Sequence, residues 1–166
     1  MDGLTLIHFS AEPLGPIESR GQNRQATGKP TGLWVSVEGD EDGWRDWCLS
    51  EDFSLDRLAI TSRIELADDA QILRVDSAAG IDELGRLFGV ESEYWTGPRP
   101  YFDRIDWARV AELYQGIVIA PYIWSRRLNG GAFWYYGWDC ASGCIWDASA
   151  IARIDVVELA TPPTGS

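Results

Sequence analysis

The chain is poor in the residue types that carry most acid–base and nucleophilic chemistry. Its 166 residues include one histidine, His8, one lysine, Lys29, and three cysteines, Cys48, Cys140 and Cys144. With one histidine, a Ser-His-Asp triad would have to use His8, and no Gly-x-Ser-x-Gly elbow accompanies it, which argues against triad hydrolysis. Walker loops, a Gly-x-Gly-x-x-Gly after a strand and His-Glu-x-x-His are all missing. An odd number of cysteines reads as free thiols rather than a disulfide framework. His8, Cys48, Cys140 and Cys144 would make the four ligands of a structural zinc, but their spacing matches no knuckle pattern, so no metal site is expected. No apolar run reaches the roughly 18 residues of a membrane span. Asp2 and Gly3 stand where a signal peptide carries its basic segment. The expectation is a soluble, cytoplasmic protein without membrane contact.

Positive charge is also scarce. The net charge of −12 argues against nucleic-acid binding over the whole surface. Two local exceptions stand out: Arg20, Arg24 and Lys29 in one loop, and the pair Arg126-Arg127. Aromatic residues are abundant instead, with nine tryptophans, six tyrosines and five phenylalanines. Most should fill a core. Their clustering at Trp44/Trp47, Tyr94/Trp95 and Phe133–Trp138 leaves room for a stacking surface that takes a flat ligand.

Along the chain, residues 4–9 read as a buried strand ending on His8-Phe9-Ser10. A long loop rich in Gly and Pro spans 11–29, and long loops in compact domains tend to be functional. A second strand covers 32–37. The acidic turn Glu38–Asp42 leads to a short helix with Trp44, Trp47 and Cys48 on one face. Residues 55–66 and 70–75 read as strands. Ser77 caps a helix over 78–88 with Ile81, Leu84, Leu87 and Phe88 as its stripe. Residues 91–103 read as irregular. A helix over 106–114 turns Val110, Leu113 and Tyr114 inward, and 116–120 is an apolar strand. Residues 122–129 suggest a helical turn, and strands follow at 144–146 and 151–159. The pattern predicts one α+β domain over 1–160 and a fraying tail over 161–166.

Successive same-side positions of a strand are two residues apart. His8 and Ser10 therefore share one side of the first strand, and Trp34 and Ser36 share one side of the second. These two strands are expected to face each other across a binding cleft. The chain here resembles the ADP-ribosyltransferase fold family. His-Phe-Ser ending strand one is similar to the family's His-x-Ser motif, and Gly32-Leu33-Trp34-Val35-Ser36 is similar to its second strand, with Trp34 where Tyr is usual. Tyr114-Gln115-Gly116-Ile117-Val118 and Cys144-Ile145-Trp146-Asp147-Ala148-Ser149 are similar to two later stretches.

The resemblance implies two small, mostly antiparallel sheets split apart, with short peripheral helices. It implies NAD as substrate and transfer of ADP-ribose to a macromolecular acceptor, protein or nucleic acid. His8 would bond the ribose hydroxyls of NAD, the backbone at Phe9 would pair with the nicotinamide amide, and Ser10 would support that pocket. Trp34 would stack on the nicotinamide, with Ser36 on the same floor and Arg24 near the pyrophosphate. The family's catalytic Glu falls near Ser142, which cannot carry its charge. Asp139 is the substitute, with Asp147 as next candidate, so His8 and Asp139 form the expected catalytic pair. Two other readings stand beside this one: a non-enzymatic acidic interaction module, and a nucleotide- or carbohydrate-binding domain using the Phe133–Trp138 ridge.

Overall fold

The computed structural model describes residues 4–38, 59–127 and 131–159. The acidic turn beyond Glu38, the helix expected around Trp44–Cys48 and the tail over 161–166 lie outside the described residues. The described residues hold nine strands: β1 (Thr5–Ser10), β2 (Leu33–Glu38), β3 (Ile60–Leu66), β4 (Ile72–Val75), β5 (Gly89–Glu91), β6 (Phe102–Ile105), β7 (Gly116–Ile119), β8 (Ser142–Ile145) and β9 (Ile151–Leu159). Two helices among the described residues, α1 (Ala78–Phe88) and α2 (Trp107–Leu113), accompany them, with 3-10 turns at Trp124–Arg126, Phe133–Gly137 and Ala148–Ala150. None of the described helices is long and apolar enough to cross a membrane.

The α+β class and the mostly antiparallel pairing match the expectation. The two sheets are unequal, however: seven strands in the order β4-β7-β8-β2-β1-β3-β9, and the pair β5-β6. Among the described strands only β4 and β7 pair in parallel, and the chain between them holds α1, β5, β6 and α2, the long crossover that parallel neighbours require. The segment expected to be irregular over 91–103 is bounded by β5 and β6, which pair from Gly89↔Ile105 to Glu91↔Phe102.

Both helices begin where their side chains satisfy free backbone amides. Ser77 accepts from the Gly80 amide at the start of α1, and Asp106 accepts from the Arg109 amide at the start of α2. Their buried stripes differ from expectation in the same way. In α1 the inward residues are Ile81, Leu84, Gly85 and Phe88, while Leu87 is 45% exposed. In α2, Trp107 and Val110 are buried, Ala111 and Tyr114 pack beside them, and Leu113 is 63% exposed. Each stripe follows the i, i+3, i+4, i+7 spacing of a helix face, and the leucine at i+6 falls off it. Gly85 makes this possible in α1, because a Cβ there would stand 2.9 Å from the Phe102 ring.

The large sheet has a core on each face. Ile117 and Ile119 of β7 join one core with α1, α2 and the tryptophans, while Val118 joins the other with Leu6, Val35, Val37 and Ile64. The strand alternation of period two produces this division. Trp107, Trp134, Trp138 and Tyr135 are among the largest fully buried side chains. The aromatic run at 133–138 is thereby split. Trp134, Tyr135 and Trp138 turn inward, and Phe133 and Tyr136 stay outside, stacked at 5.9 Å with Tyr101 extending the row.

Candidate functional site

β1 and β2 are neighbours in the sheet, and what separates them is the end of their ladder. Among the described residues they pair over three positions, Thr5↔Glu38, Leu6↔Val37 and Ile7↔Ser36. Beyond that point β1 follows β3 to Ser10↔Ile60, and β2 follows β8 to Leu33↔Ile145. A cleft of about 400 Å³ opens where they part, within the roughly 300–1,000 Å³ of small-molecule sites. Ile7, His8 and Phe9 line one side, Trp34, Val35 and Ser36 the other, and Lys29, Trp138, Asp139, Cys140 and Ser142 complete it.

The register refines where the side chains point. Directly opposed residues of an antiparallel pair share a face, so Ile7 lies on the face of Ser36, and alternation adds Phe9 and Trp34. His8 and Ser10 belong by register to the other face, His8 opposite Ser62 and Ser10 opposite Ile60. His8 nevertheless serves the cleft through its edge. The Val37 amide donates to Ala141 in the direction of β8, so the amide groups of Trp34, at odd separation from Val37, turn toward β1. Continued pairing would give the Trp34 carbonyl the Phe9 amide. The ladder has ended, and the His8 ring takes that carbonyl instead, with Nδ1 2.6 Å from it. A carbonyl only accepts, so Nδ1 carries a proton and donates to it.

The remaining predicted residues are spread around this edge. Ser36 is buried and its hydroxyl donates to Glu38 at 3.3 Å. Ser10 does not line the cleft, and its Oγ is buried without a hydrogen-bond partner. Arg24 is exposed and also lies outside the lining. Asp139 is in the lining and sits 3.7 Å from Arg127, both side chains a little under a third exposed. The Arg127 guanidinium lies 5.7 Å from the ring centroids of both Trp124 and Tyr136, which hold it between two aromatic faces. Asp147 is not part of the cleft. It accepts from Ser149 and Gln115, caps the following 3-10 turn, and these hydrogen bonds hold its carboxyl below the usual aspartate range.

Sequence reasoning did not place Lys29, Trp138 or Cys140 at the cleft; it brought position 142 there only as the place of a missing glutamate. Trp138 meets Trp34 edge-on, with centroids 5.0 Å apart and planes at 64°. Lys29 holds its ammonium 5.5 Å from the Trp34 centroid, an exposed cation–π contact worth about 0.5–1 kcal/mol. Ser142 is opposite Ser36 in the register and donates to the Cys140 carbonyl at 3.0 Å. The signal for these residues was their sequence position beside β2 and β8, but only the strand order brings them together. Cys144, one strand-step deeper, is fully buried, and burial pushes its thiol up to about 12.

Chemically, the cleft combines apolar surface from Phe9 and Trp34, backed by the buried Trp138, with one carboxylate, one ammonium and two serine hydroxyls. That set suits a ligand with a planar ring and an anionic group. No family model matches this chain, and neither a curated protein nor a solved structure is similar to it, so its function is argued from this geometry.

Proposed function

We propose that the cleft binds NAD and that the protein transfers ADP-ribose from it to a macromolecular acceptor. One observation carries this reading. The strand-one motif at His8, the strand-two motif at Trp34 and Ser36, and Ser142, at the position where the family the chain resembles holds a glutamate, all converge on a single cleft. They are far apart in sequence, and an arbitrary set of motif matches has no reason to meet.

The roles follow from chemistry. The planar nicotinamide lies against the apolar wall of Phe9 and Trp34. His8, fixed by the Trp34 carbonyl, turns its second ring nitrogen toward the ribose. As the bond from C1′ to the nicotinamide nitrogen breaks, that nitrogen keeps the electron pair and positive charge grows on the ribose. The Asp139 carboxylate stabilises this charge. An acceptor nucleophile then bonds to C1′ and releases its proton. Arg127 beside Asp139 weakens the carboxylate's field, and this favours one second reading: a fold that binds the dinucleotide without consuming it.

The test is calorimetric titration with NAD together with nicotinamide release in cell lysate. Binding and release by the wild type, with release lost in Asp139→Asn while binding persists, supports transfer. Binding without release selects the second reading. No heat and no release overturns both.

A further inference from the structure

Lys29 is the sole lysine of a chain with net charge −12, and it reaches the cleft from an unusually well-pinned piece of loop. Thr27 exchanges backbone hydrogen bonds with Ile105 at 3.1 and 2.8 Å. The Trp107 indole donates to the Thr27 carbonyl at 3.0 Å, and the Trp138 indole donates to the Gly28 carbonyl at 3.3 Å. Thr27 Oγ1 donates to the Lys29 carbonyl at 2.7 Å. On the far side, the Gln22 amide both donates to and accepts from the Thr31 backbone at 2.8 Å. The stem of Lys29 then runs past Gly137, where an added Cβ would stand 3.4 Å from Cε, and its ammonium ends over Trp34.

Among the described residues no carboxylate pairs with this ammonium: the nearby Asp139 is taken by Arg127. A cation placed at a cleft by a pinned backbone, with a ring face beneath it and no carboxylate partner among the described residues, is poised for an anion. We infer that Lys29 is the anion anchor of the cleft, binding a phosphate of the nucleotide, and that it leaves Trp34 as the planar ring of the ligand arrives. This rests on the nucleotide reading of the same cleft. Ring stacking and phosphate pairing thus become one event. The ring takes the face that the ammonium covers, and the ammonium gains a charged hydrogen-bond partner, a stronger contact than the one it gives up. A ligand carrying both groups is favoured over either group alone.

The experiment titrates wild type, Lys29→Ala and Lys29→Arg with NAD, with inorganic pyrophosphate and with nicotinamide, reading heat and tryptophan fluorescence at fixed ionic strength. Lys29 is exposed, so both variants should fold, and unchanged near-ultraviolet circular dichroism confirms it. The expected result is that Lys29→Ala weakens NAD about tenfold or more, loses pyrophosphate, and binds nicotinamide no worse than wild type, while Lys29→Arg keeps pyrophosphate. Equal NAD affinity in wild type and Lys29→Ala overturns the assignment of Lys29 and leaves the NAD reading standing. Pyrophosphate binding that depends on Lys29, without any NAD binding, keeps the anchor and overturns the NAD reading. Binding of neither by the wild type removes both.

Discussion

The ring of His8 and the backbone of Trp34 are joined across the point where two strands separate, Nδ1 lying 2.6 Å from the carbonyl oxygen. The side chain thus occupies the place in the ladder that the Phe9 amide would hold. Because the carbonyl is only an acceptor, the neutral ring is expected as the Nδ1–H tautomer, with Nε2 free to accept from a ligand. Long-range nitrogen–proton NMR correlation reads this directly, and an Nε2–H tautomer would contradict the assignment. Replacing His8 with Ala removes the bond, with an expected stability loss of about 0.5–1.5 kcal/mol.

Trp34 and Trp138 touch each other yet should respond in opposite ways to truncation. Trp138 is 1% exposed and packs against Trp107, Trp134 and Tyr135. Trp138→Ala is expected to cost about 3–5 kcal/mol, enough to unfold a marginal domain. Trp34 is only partly buried and forms cleft wall. Trp34→Ala should leave a folded protein with impaired ligand binding. Urea denaturation paired with ligand titration separates the two, and equal stability losses would be the contrary outcome.

Gly85 sets two effects against each other. Alanine there gains about 1 kcal/mol of helix propensity. Its Cβ would meet the Phe102 ring at 2.9 Å, and overpacking a core contact costs about 1–3 kcal/mol. The net expectation for Gly85→Ala is a destabilisation of up to about 2 kcal/mol, measured by thermal or chemical unfolding. A stabilised variant would mean that the ring moves aside without cost.

Two groups set the expected pH response. Burial raises the Cys144 thiol to about 12 in the folded state, against about 8.5 when unfolded. Its contribution is therefore fully present below about pH 8.5 and is lost as pH climbs from there toward 12. Native Cys144 should resist thiol reagents at pH 8 and react once the protein is unfolded. At the acid end, hydrogen bonds from Ser149 and Gln115 depress the Asp147 carboxyl. That contribution is present above the unfolded value of about 3.9 and disappears as pH falls through the folded one. Asp147→Asn should flatten the acid limb of the stability profile, and an unchanged limb would refute the assignment.

Local pattern reveals much of this fold. The strand propensities of 4–9, 116–120 and 151–159, and the caps at Ser77 and Asp106, follow from interactions within a few residues. Register does not, because it depends on which strands meet. That is why spacing alone suggests that His8 and Ser10 turn toward Trp34 and Ser36, whereas the pairing turns Ile7 and Phe9 there. The expected inner faces of α1 and α2 each differ from the observed one at a single leucine for a similar reason. Leucines 87 and 113 are as apolar as their neighbours, and only the contact with Phe102 or the tryptophans decides which stripe is buried. At the candidate site, loop charge drew attention to Arg24, while the hydrogen bonds that pin residues 27–31 bring Lys29 into the cleft. The aromatic run at 133–138 looked like a single ridge because a 3-10 turn, which divides it between inside and outside, has no strong sequence signature.

The short ladder between β1 and β2 has a mechanical meaning. Strands β1, β3 and β9 form one leaf of the large sheet and β2, β8, β7 and β4 the other. Among the described residues, three rungs join the leaves along the backbone. A tilt of one leaf against the other bends that seam and changes the gap beside it, while the pairing within each leaf stays intact. The amides along this short seam are expected to exchange with solvent sooner than those at the centre of either leaf, which hydrogen exchange would read.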